Sequence, residues 1–193
     1  MKKIILSTAL VALATPALAH TGHGETAGFV HGFAHPLLGA DHLMAMLTVG
    51  LWSGFVMPRR FWAGAATFLG AMAVGASLSW AGVAIPMVET LITLSVLVFG
   101  LLTVFARQGQ AAWMTRASLG AIAGFAACHG HAHATEAQGN LFGYLAGFLI
   151  ATTALHVAGI VIARLVANGR AARLIQQGLG LAMAAGGVAL MAG

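Results

Sequence analysis

Long apolar runs constrain the fold of this chain more than any other feature of its sequence. Six such runs follow one another, and each approaches the ~20 apolar residues that a helix needs to cross a bilayer. Only 7% of the 193 residues are charged, whereas a soluble domain carries about 25%. The sequence therefore predicts an all-α membrane protein, a bundle of six transmembrane helices. The predicted spans are 37–55 (or from slightly earlier), 61–80, 86–105, 117–129 (or from near Ala112), 141–165 and 174–192.

The first 19 residues have the pattern of a cleavable signal peptide. Two lysines open the chain, a short apolar run follows over 4–14, and an Ala-Leu-Ala cleavage site ends at Ala19. Cleavage there would leave a single permease domain, 20–193, whose N-terminus at His20 lies outside the cytoplasm. An uncleaved first helix is the alternative, and the shortness of the apolar run disfavours it.

Charged residues divide between the two sides of the predicted topology. If the mature N-terminus lies outside, the basic residues fall on the cytoplasmic side, which is the positive-inside pattern. An even number of spans then places both termini outside, so we expect a multi-pass protein of the bacterial inner membrane with periplasmic termini. Nucleic acid is not an expected partner, because the basic residues stand singly or in pairs. The cytoplasmic arginines are Arg59, Arg60, Arg107, Arg116, Arg164, Arg170 and Arg173, and the acids on the outer side are Glu25, Asp41, Glu89 and Glu136.

The segment HPLLGADH, from His35 to His42, places ionisable groups inside the first apolar run. An acidic residue near the middle of a membrane helix costs roughly 2.5–3.5 kcal/mol. Asp41 and its neighbours therefore need a partner, and a divalent cation suits His and Asp together. Helical spacing puts His31, His35 and His42 on one face, although polar contacts between helices are the alternative. Pro36 is expected to begin or to kink this helix, with the residue before it extended.

A second cluster lies at the outer end of the fourth run. His129, His133 and Glu136 are spaced i, i+4 and i+7, which is one face of a helix if the helix persists that far. Pairs of histidines at this spacing are typical of metal sites on helices. A hydrated polar loop is the alternative interpretation.

Three further residues are weaker candidates for metal binding. Glu89, at the outer start of the third span, is either an interfacial acid or part of an acidic outer vestibule. His156 lies well inside the fifth span and is either a deeper ligand or a satisfied core histidine. His20 would begin a polar tail that either captures divalent metals or is disordered.

The available ligand types narrow the choice of metal. Imidazole suits Ni, Zn, Cu and Fe(II), and carboxylate adds hardness, whereas Mg and Ca prefer all-oxygen sites. A lone cysteine, Cys128, excludes an intrachain disulfide, and no haem-attachment motif or phosphate-binding loop is present. The glycine pairs Gly28/Gly32, Gly120/Gly124 and Gly143/Gly147 have the spacing of close helix contacts, and we expect packing within the bundle rather than dimerisation.

At this point the motifs resemble those of a known family. HPLLGADH at 35–42 is similar to the H-P-x-x-G-x-D-H signature of the HupE/UreJ nickel/cobalt transporters. HGHAHATE at 129–136 resembles the second block of that family, H-G-x-A-H-G-x-E, and 143–156 resembles its fifth helix, which also carries a histidine. The likeness covers nearly the whole mature chain. Cys128 and Ala134 stand where relatives often have an aromatic residue and a glycine.

The resemblance implies a secondary permease, not an enzyme, that imports Ni²⁺, or Co²⁺, across the inner membrane. The metal ion is then a transported substrate, and no prosthetic group is expected. Nickel-enzyme maturation proteins are compatible partners beside the lipid bilayer, and the oligomeric state stays open. The metal-handling roles carried over are those of His35, Asp41, His42, His129, His133 and Glu136.

Two other classes fit part of the pattern. An intramembrane zinc-dependent hydrolase would use His and Asp around the metal, with Glu89 or Glu136 as general base. A bis-His haem protein is the third class, and the hard carboxylate of Asp41 beside His42 argues against it.

Overall fold

The computed structural model describes residues 25–137, 139–167 and 171–192, with side chains from residue 27 onward. The predicted signal peptide and His20 lie outside the described residues. The structure is helical throughout its ordered elements, which confirms the predicted all-α class. The helices are α1 (Glu25–Leu38), α2 (Ala40–Val56), α3 (Ala63–Trp80), α4 (Val88–Phe105), α5 (Ala112–Glu136), α6 (Leu141–Val166) and α7 (Ala172–Ala192).

Four of these helices, α3, α4, α6 and α7, are long and apolar enough to cross a membrane. Their bounds agree with the second, third, fifth and sixth predicted spans to within two residues at each end. Large apolar side chains remain exposed on them, such as Val74, Leu101, Leu149 and Val188. A lipid environment would cover such side chains, so the fold is that of a membrane protein.

The first predicted span differs from the structure because the chain forms two helices there. The break falls at Gly39, whose φ of −78° and ψ of 114° are extended. Pro36 therefore neither begins the span nor kinks a continuous helix, since it lies in the last turn of α1. The expectation that His35 is extended was wrong, because α1 continues for two residues past the proline. Proline lacks an N–H and so removes one helical hydrogen bond, and α1 ends two residues after it.

Helices α1 and α2 run one after the other along α6. A Cβ atom at Gly32 would overlap the backbone of Tyr144 near one end of α6, and one at Gly54 would meet Ala163 near its other end. The interrupted pair thus packs along most of the length of the 26-residue α6. Irregular backbone such as that at Gly39 is tolerated at membrane depth only where protein or a cavity surrounds it.

Helix α5 is longer than the predicted run 117–129. It begins at Ala112, the alternative start, and continues to Glu136, so the second histidine cluster lies on helix rather than in a hydrated loop. His133 lies in the last turn, where the negative end of the helix dipole suits an imidazole N–H. His129, His133 and Glu136 therefore do share one helical face.

Close glycine contacts join the helices in pairs. A Cβ at Gly75 would overlap the backbone of Ala127, and one at Gly130 would overlap that of Met72, which binds α3 tightly to α5. Gly100 and Gly187 make the same kind of contact between α4 and α7.

Two of the glycine pairs predicted from the sequence differ in their contacts. Gly28 and Gly32 pack against α6 as expected, whereas Gly120 and Gly124 have no atom within 4 Å of a built Cβ, so the prediction of packing within the bundle was wrong for that pair.

Candidate metal site

Three histidines from three helices meet inside the bundle. The ligand nitrogens of His35 (α1), His42 (α2) and His133 (α5) all lie within 4.8 Å of one another. The ring centroids are 4.5 Å apart for His42 and His133, and 4.7 Å apart for His35 and His133. Metal–nitrogen bonds of about 2.0–2.1 Å hold two nitrogens of one ion at most ~4.2 Å apart. A small side-chain movement would therefore let all three ligate one ion.

Glu136 completes the exposed rim of this cluster. Its Oε2 lies 3.3 Å from His35 Nε2 and 3.4 Å from His133 Nδ1, so the carboxylate bridges α1 and α5. The side chain is 44% exposed, which leaves the carboxylate open to approach by a hydrated cation. The two motifs, whose first residues His35 and His129 are 94 positions apart in sequence, thus share one site.

Asp41 fixes the orientation and tautomer of His42. His42 Nδ1 lies 2.7 Å from Asp41 Oδ1, and the backbone N–H of His42 donates to the same oxygen at 2.8 Å. Because a carboxylate only accepts hydrogen bonds, Nδ1 carries the proton and Nε2 keeps its lone pair. This Nε2 is buried and has no hydrogen-bond partner in the part of the chain that the structure describes. Such a carboxylate–histidine pair is the usual support of a metal-ligating imidazole.

His129 extends the cluster deeper into the bundle. It is fully buried, and its ring centroid lies 4.9 Å from that of His42. Its Nε2 lies 3.1 Å from Ser95 Oγ, whose hydroxyl donates to the carbonyl of Ile92 at 2.6 Å. Since the hydroxyl proton is already used, Ser95 Oγ accepts from Nε2–H. The Nδ1 of His129 then keeps its lone pair, and this atom has no partner.

His156 shows the same arrangement at greater depth. Its Nδ1 donates to the carbonyl of Thr152 at 2.7 Å, which leaves the lone pair on a buried Nε2 without a partner. The ring does not belong to the three-histidine cluster. The phenyl ring of Phe68 lies beside both His129 and His156, at 5.3 and 4.9 Å between ring centroids.

One face of α6 lines the whole column of histidines. Tyr144, Phe148, Thr152 and His156 follow at four-residue spacing and are all buried, so they cover about 18 Å of the helix axis. The ring of Phe148 lies 4.2 Å from that of His133. At the outer edge the ring of Tyr144 lies 5.6 Å from that of His31, whose own ring is 6.0 Å from that of His35.

Two candidate residues stand apart from the cluster. Glu89 is exposed in the first turn of α4, and the ion pairs found among the described residues do not include it. His20 falls outside the described residues.

His131, which belongs to the motif at 129–136, points away from the cluster. Its Nε2 lies 2.7 Å from the carbonyl of Val83 in the α3–α4 loop.

Sequence reasoning missed four residues that shape the site. Ser95 orients His129, and the ring of Phe68 packs beside His129 and His156. Tyr144 packs on His31, and Phe148 packs on His133. Serine and phenylalanine are ordinary in membrane helices, so nothing in their own positions marks them. A cavity of about 240 Å³ also borders His133, and its lining is mainly apolar, with Met72, Trp80, Tyr144 and Phe148 among its residues.

Comparison with known proteins gives two matches. The model of a family described as HupE / UreJ protein matches residues 8–190. A protein named Protein HupE, from Rhizobium leguminosarum bv. viciae, is 39% identical over 196 residues, which covers 100% of both chains. No solved structure matches the chain significantly.

Proposed function

The chain belongs to the HupE/UreJ family, and from this premise we propose that it is a secondary permease that imports Ni²⁺ across the bacterial inner membrane. The family is one of transporters, so the protein is not an enzyme. Co²⁺ is the nearest alternative substrate. One observation carries the proposal, namely the meeting of His35, His42 and His133 from three helices beside two carboxylates.

The chemistry of this donor set supports a borderline transition metal as the substrate. Neutral imidazole binds Ni²⁺ and Co²⁺ well, and the carboxylates of Asp41 and Glu136 offset the charge of the ion. The site lacks the all-oxygen environment that Mg²⁺ and Ca²⁺ prefer. Conduction also requires sites that release the ion again. The ligand nitrogens of His35, His42 and His133 are up to 4.8 Å apart, and this spacing suits weak, sequential binding better than a closed tetrahedral site does.

The topology that we propose has six spans, with α1 and α2 together forming the first. Residues 1–19 are the signal peptide, 20–193 form the permease domain, and both termini are periplasmic. Support comes from the arginines, since Arg59 and Arg60 follow α2, Arg107 follows α4, and Arg173 begins α7, all at the end opposite Glu89 and Glu136. An interrupted helix at a binding site is a recurrent feature of secondary transporters.

The metal would move inward in steps. In this proposal His20, His31 and Glu89 collect the hydrated ion, and His35, His42, His133 and Glu136 replace part of its water. His129 and His156 would then receive it in turn. A membrane potential supplies about 2.3 kcal/mol per charge for each 100 mV, or about 4.6 kcal/mol for a divalent cation, so uptake needs no nucleotide.

Reconstitution tests the proposed function directly. Purified protein in liposomes should take up radiolabelled Ni²⁺ when a potassium diffusion potential makes the lumen negative, and Co²⁺ should compete. Uptake should fall when the potential is collapsed, because the ion carries two positive charges. Protein-containing liposomes that accumulate neither metal faster than empty liposomes would contradict the proposal.

Asp41→Asn tests the support of the His42 imidazole. An amide can donate to Nδ1 as well as accept from it, so the tautomer of His42 is no longer fixed and the negative charge is lost. We expect Ni²⁺ uptake to fall by about 10- to 100-fold, the usual effect of removing an orienting partner from a metal ligand. Uptake at the wild-type rate, with equal protein in the membrane, would argue that Asp41 has no part in transport.

The hydrolase alternative has no support from the family match. The apolar cavity beside His133 could hold part of a lipid-like substrate. A cavity alone is weak support for hydrolysis when the matched family is one of transporters.

A further inference from the structure

One phenyl ring packs beside two buried histidines in the middle of the bundle. Phe68 is fully buried, as are its neighbours His129 and His156. The ring centroid of Phe68 lies 5.3 Å from that of His129 and 4.9 Å from that of His156. A phenyl ring offers no lone pair to a metal ion. Phe68 therefore adds no ligand to the histidines that continue inward from the outer cluster, which consists of His35, His42, His133 and Glu136.

Unpaired polar atoms lie on the two histidines beside this ring. Neither His129 Nδ1 nor His156 Nε2 has a hydrogen-bond partner among the described residues. The buried hydroxyl of Thr152, one turn of α6 from His156, is also without a partner. Buried polar atoms are unfavourable when unpaired, and an ion that visits first His129 and then His156 would satisfy them in turn.

We propose that the Phe68 ring is the gate of the transport path. It closes the path in the observed structure, and it turns aside to let the ion pass from His129 to an inner station at His156 Nε2 and Thr152 Oγ1. This inference rests on the import function proposed above. It adds to that function the residue that controls passage between the outer cluster and the inner half of the bundle.

The surroundings of Phe68 favour a turn of the side chain over a movement of its helix. The backbone N–H of Gly64, one turn before Phe68, donates to Ser53 Oγ in α2 at 2.9 Å. Further along α3, Gly75 is in close contact with the backbone of Ala127 in α5. Since α3 is held at both points, rotation about the side-chain torsions of Phe68 is the movement that opens the path.

The gate also accounts for selection between ions. A cation that leaves His129 must shed water to pass the ring, whose face attracts it only weakly. Mg²⁺ dehydrates reluctantly, so a closed phenyl ring excludes it more strongly than it excludes an ion that imidazole has already stripped of water. Phe68 thus adds a dehydration step to the selectivity of the ligands.

Phe68→Ala in the full-length protein tests the gate. In proteoliposomes without a membrane potential, the variant should exchange Ni²⁺ at least about tenfold faster than the wild type, which equals about 1.4 kcal/mol in the barrier. It should also admit Mg²⁺, which we expect the wild type to exclude. Binding of NiCl2 to the detergent-purified protein should be unchanged, because the outer cluster keeps all its ligands.

Phe99→Ala is the matched control, because Phe99 is another buried phenylalanine that packs on Phe125, at 5.7 Å between ring centroids. It should lower thermal stability without raising the Ni²⁺ flux or admitting Mg²⁺.

Phe68→Leu keeps most of the apolar volume and serves as the test of the gate if the alanine variant does not fold. We expect it to raise the Ni²⁺ and Mg²⁺ fluxes less than Phe68→Ala does. Unchanged fluxes in the Phe68 variants beside a wild type that carries Ni²⁺ would overturn the gate alone. A wild type that carries neither Ni²⁺ nor Co²⁺ would overturn the import function and the gate with it.

Discussion

Replacing His42 by alanine should lower Ni²⁺ uptake into proteoliposomes more than about 100-fold, beyond the loss expected for its supporting carboxylate. Of the histidines that the structure describes, His42 is the one whose ring contacts those of His35, His133 and His129. Its Nε2 is buried and carries a free lone pair because Asp41 holds the proton on Nδ1. Its removal therefore takes away a ligand and separates the outer cluster from the deeper histidine.

His131→Ala is the control for this prediction. His131 lies on the same helix as His129 and His133 but points to the carbonyl of Val83, away from the cluster. Its loss removes one imidazole and one hydrogen bond from the protein, and uptake should stay close to the wild-type rate. Equal losses in both variants would show that uptake responds to the general stability of α5 and not to the cluster.

Gly130→Val should destabilise the protein by about 3 kcal/mol or more, at or above the upper end of typical overpacking costs. A Cβ at this position would overlap the backbone of Met72, which no change of side-chain rotamer can relieve. Helices α3 and α5 would have to move apart, and α5 carries both His129 and His133. Thermal unfolding in detergent should shift to lower temperature, and Ni²⁺ uptake should be lost with it.

Gly124→Ala offers a matched change on the same helix. A Cβ there meets no atom within 4 Å, and alanine favours helix over glycine by about 0.8–1.0 kcal/mol. This variant should therefore be as stable as the wild type or slightly more so. If Gly124→Ala destabilised the protein as much as Gly130→Val does, the open face of α5 at Gly124 would have to be a contact surface.

The residues that the structure gathers could be predicted in large part from the sequence, because polar groups in a membrane helix are costly and therefore conspicuous. His35, Asp41 and His42 stand out in an apolar run, and the helical spacing of His129, His133 and Glu136 places them on one face. Local periodicity gives this much without any knowledge of tertiary contacts.

What the sequence could not supply depends on which helices become neighbours. Ser95 acquires its role only because α4 packs against α5, and Phe68 only because α3 brings its ring beside two histidines of other helices. The break at Gly39 was also missed. Proline is the stronger local signal, so the sequence analysis expected any irregularity of the helix at Pro36. The helix runs two residues past Pro36, and the chain breaks at Gly39, where a Cβ atom would lie only 3.1 Å from His42 Nδ1.

The glycine contacts described above divide the bundle into three stiff blocks. One is α1–α2 with α6, another is α3 with α5, and the third is α4 with α7. Backbones that touch without intervening side chains interlock, so slippage inside a block is harder than slippage between blocks. His42 and His156 belong to the first block, whereas His133 and Phe68 belong to the second. The metal path thus lies between two blocks: His35 and His42 keep their spacing within the first, whereas their distances to His129 and His133 depend on how the second block packs against it.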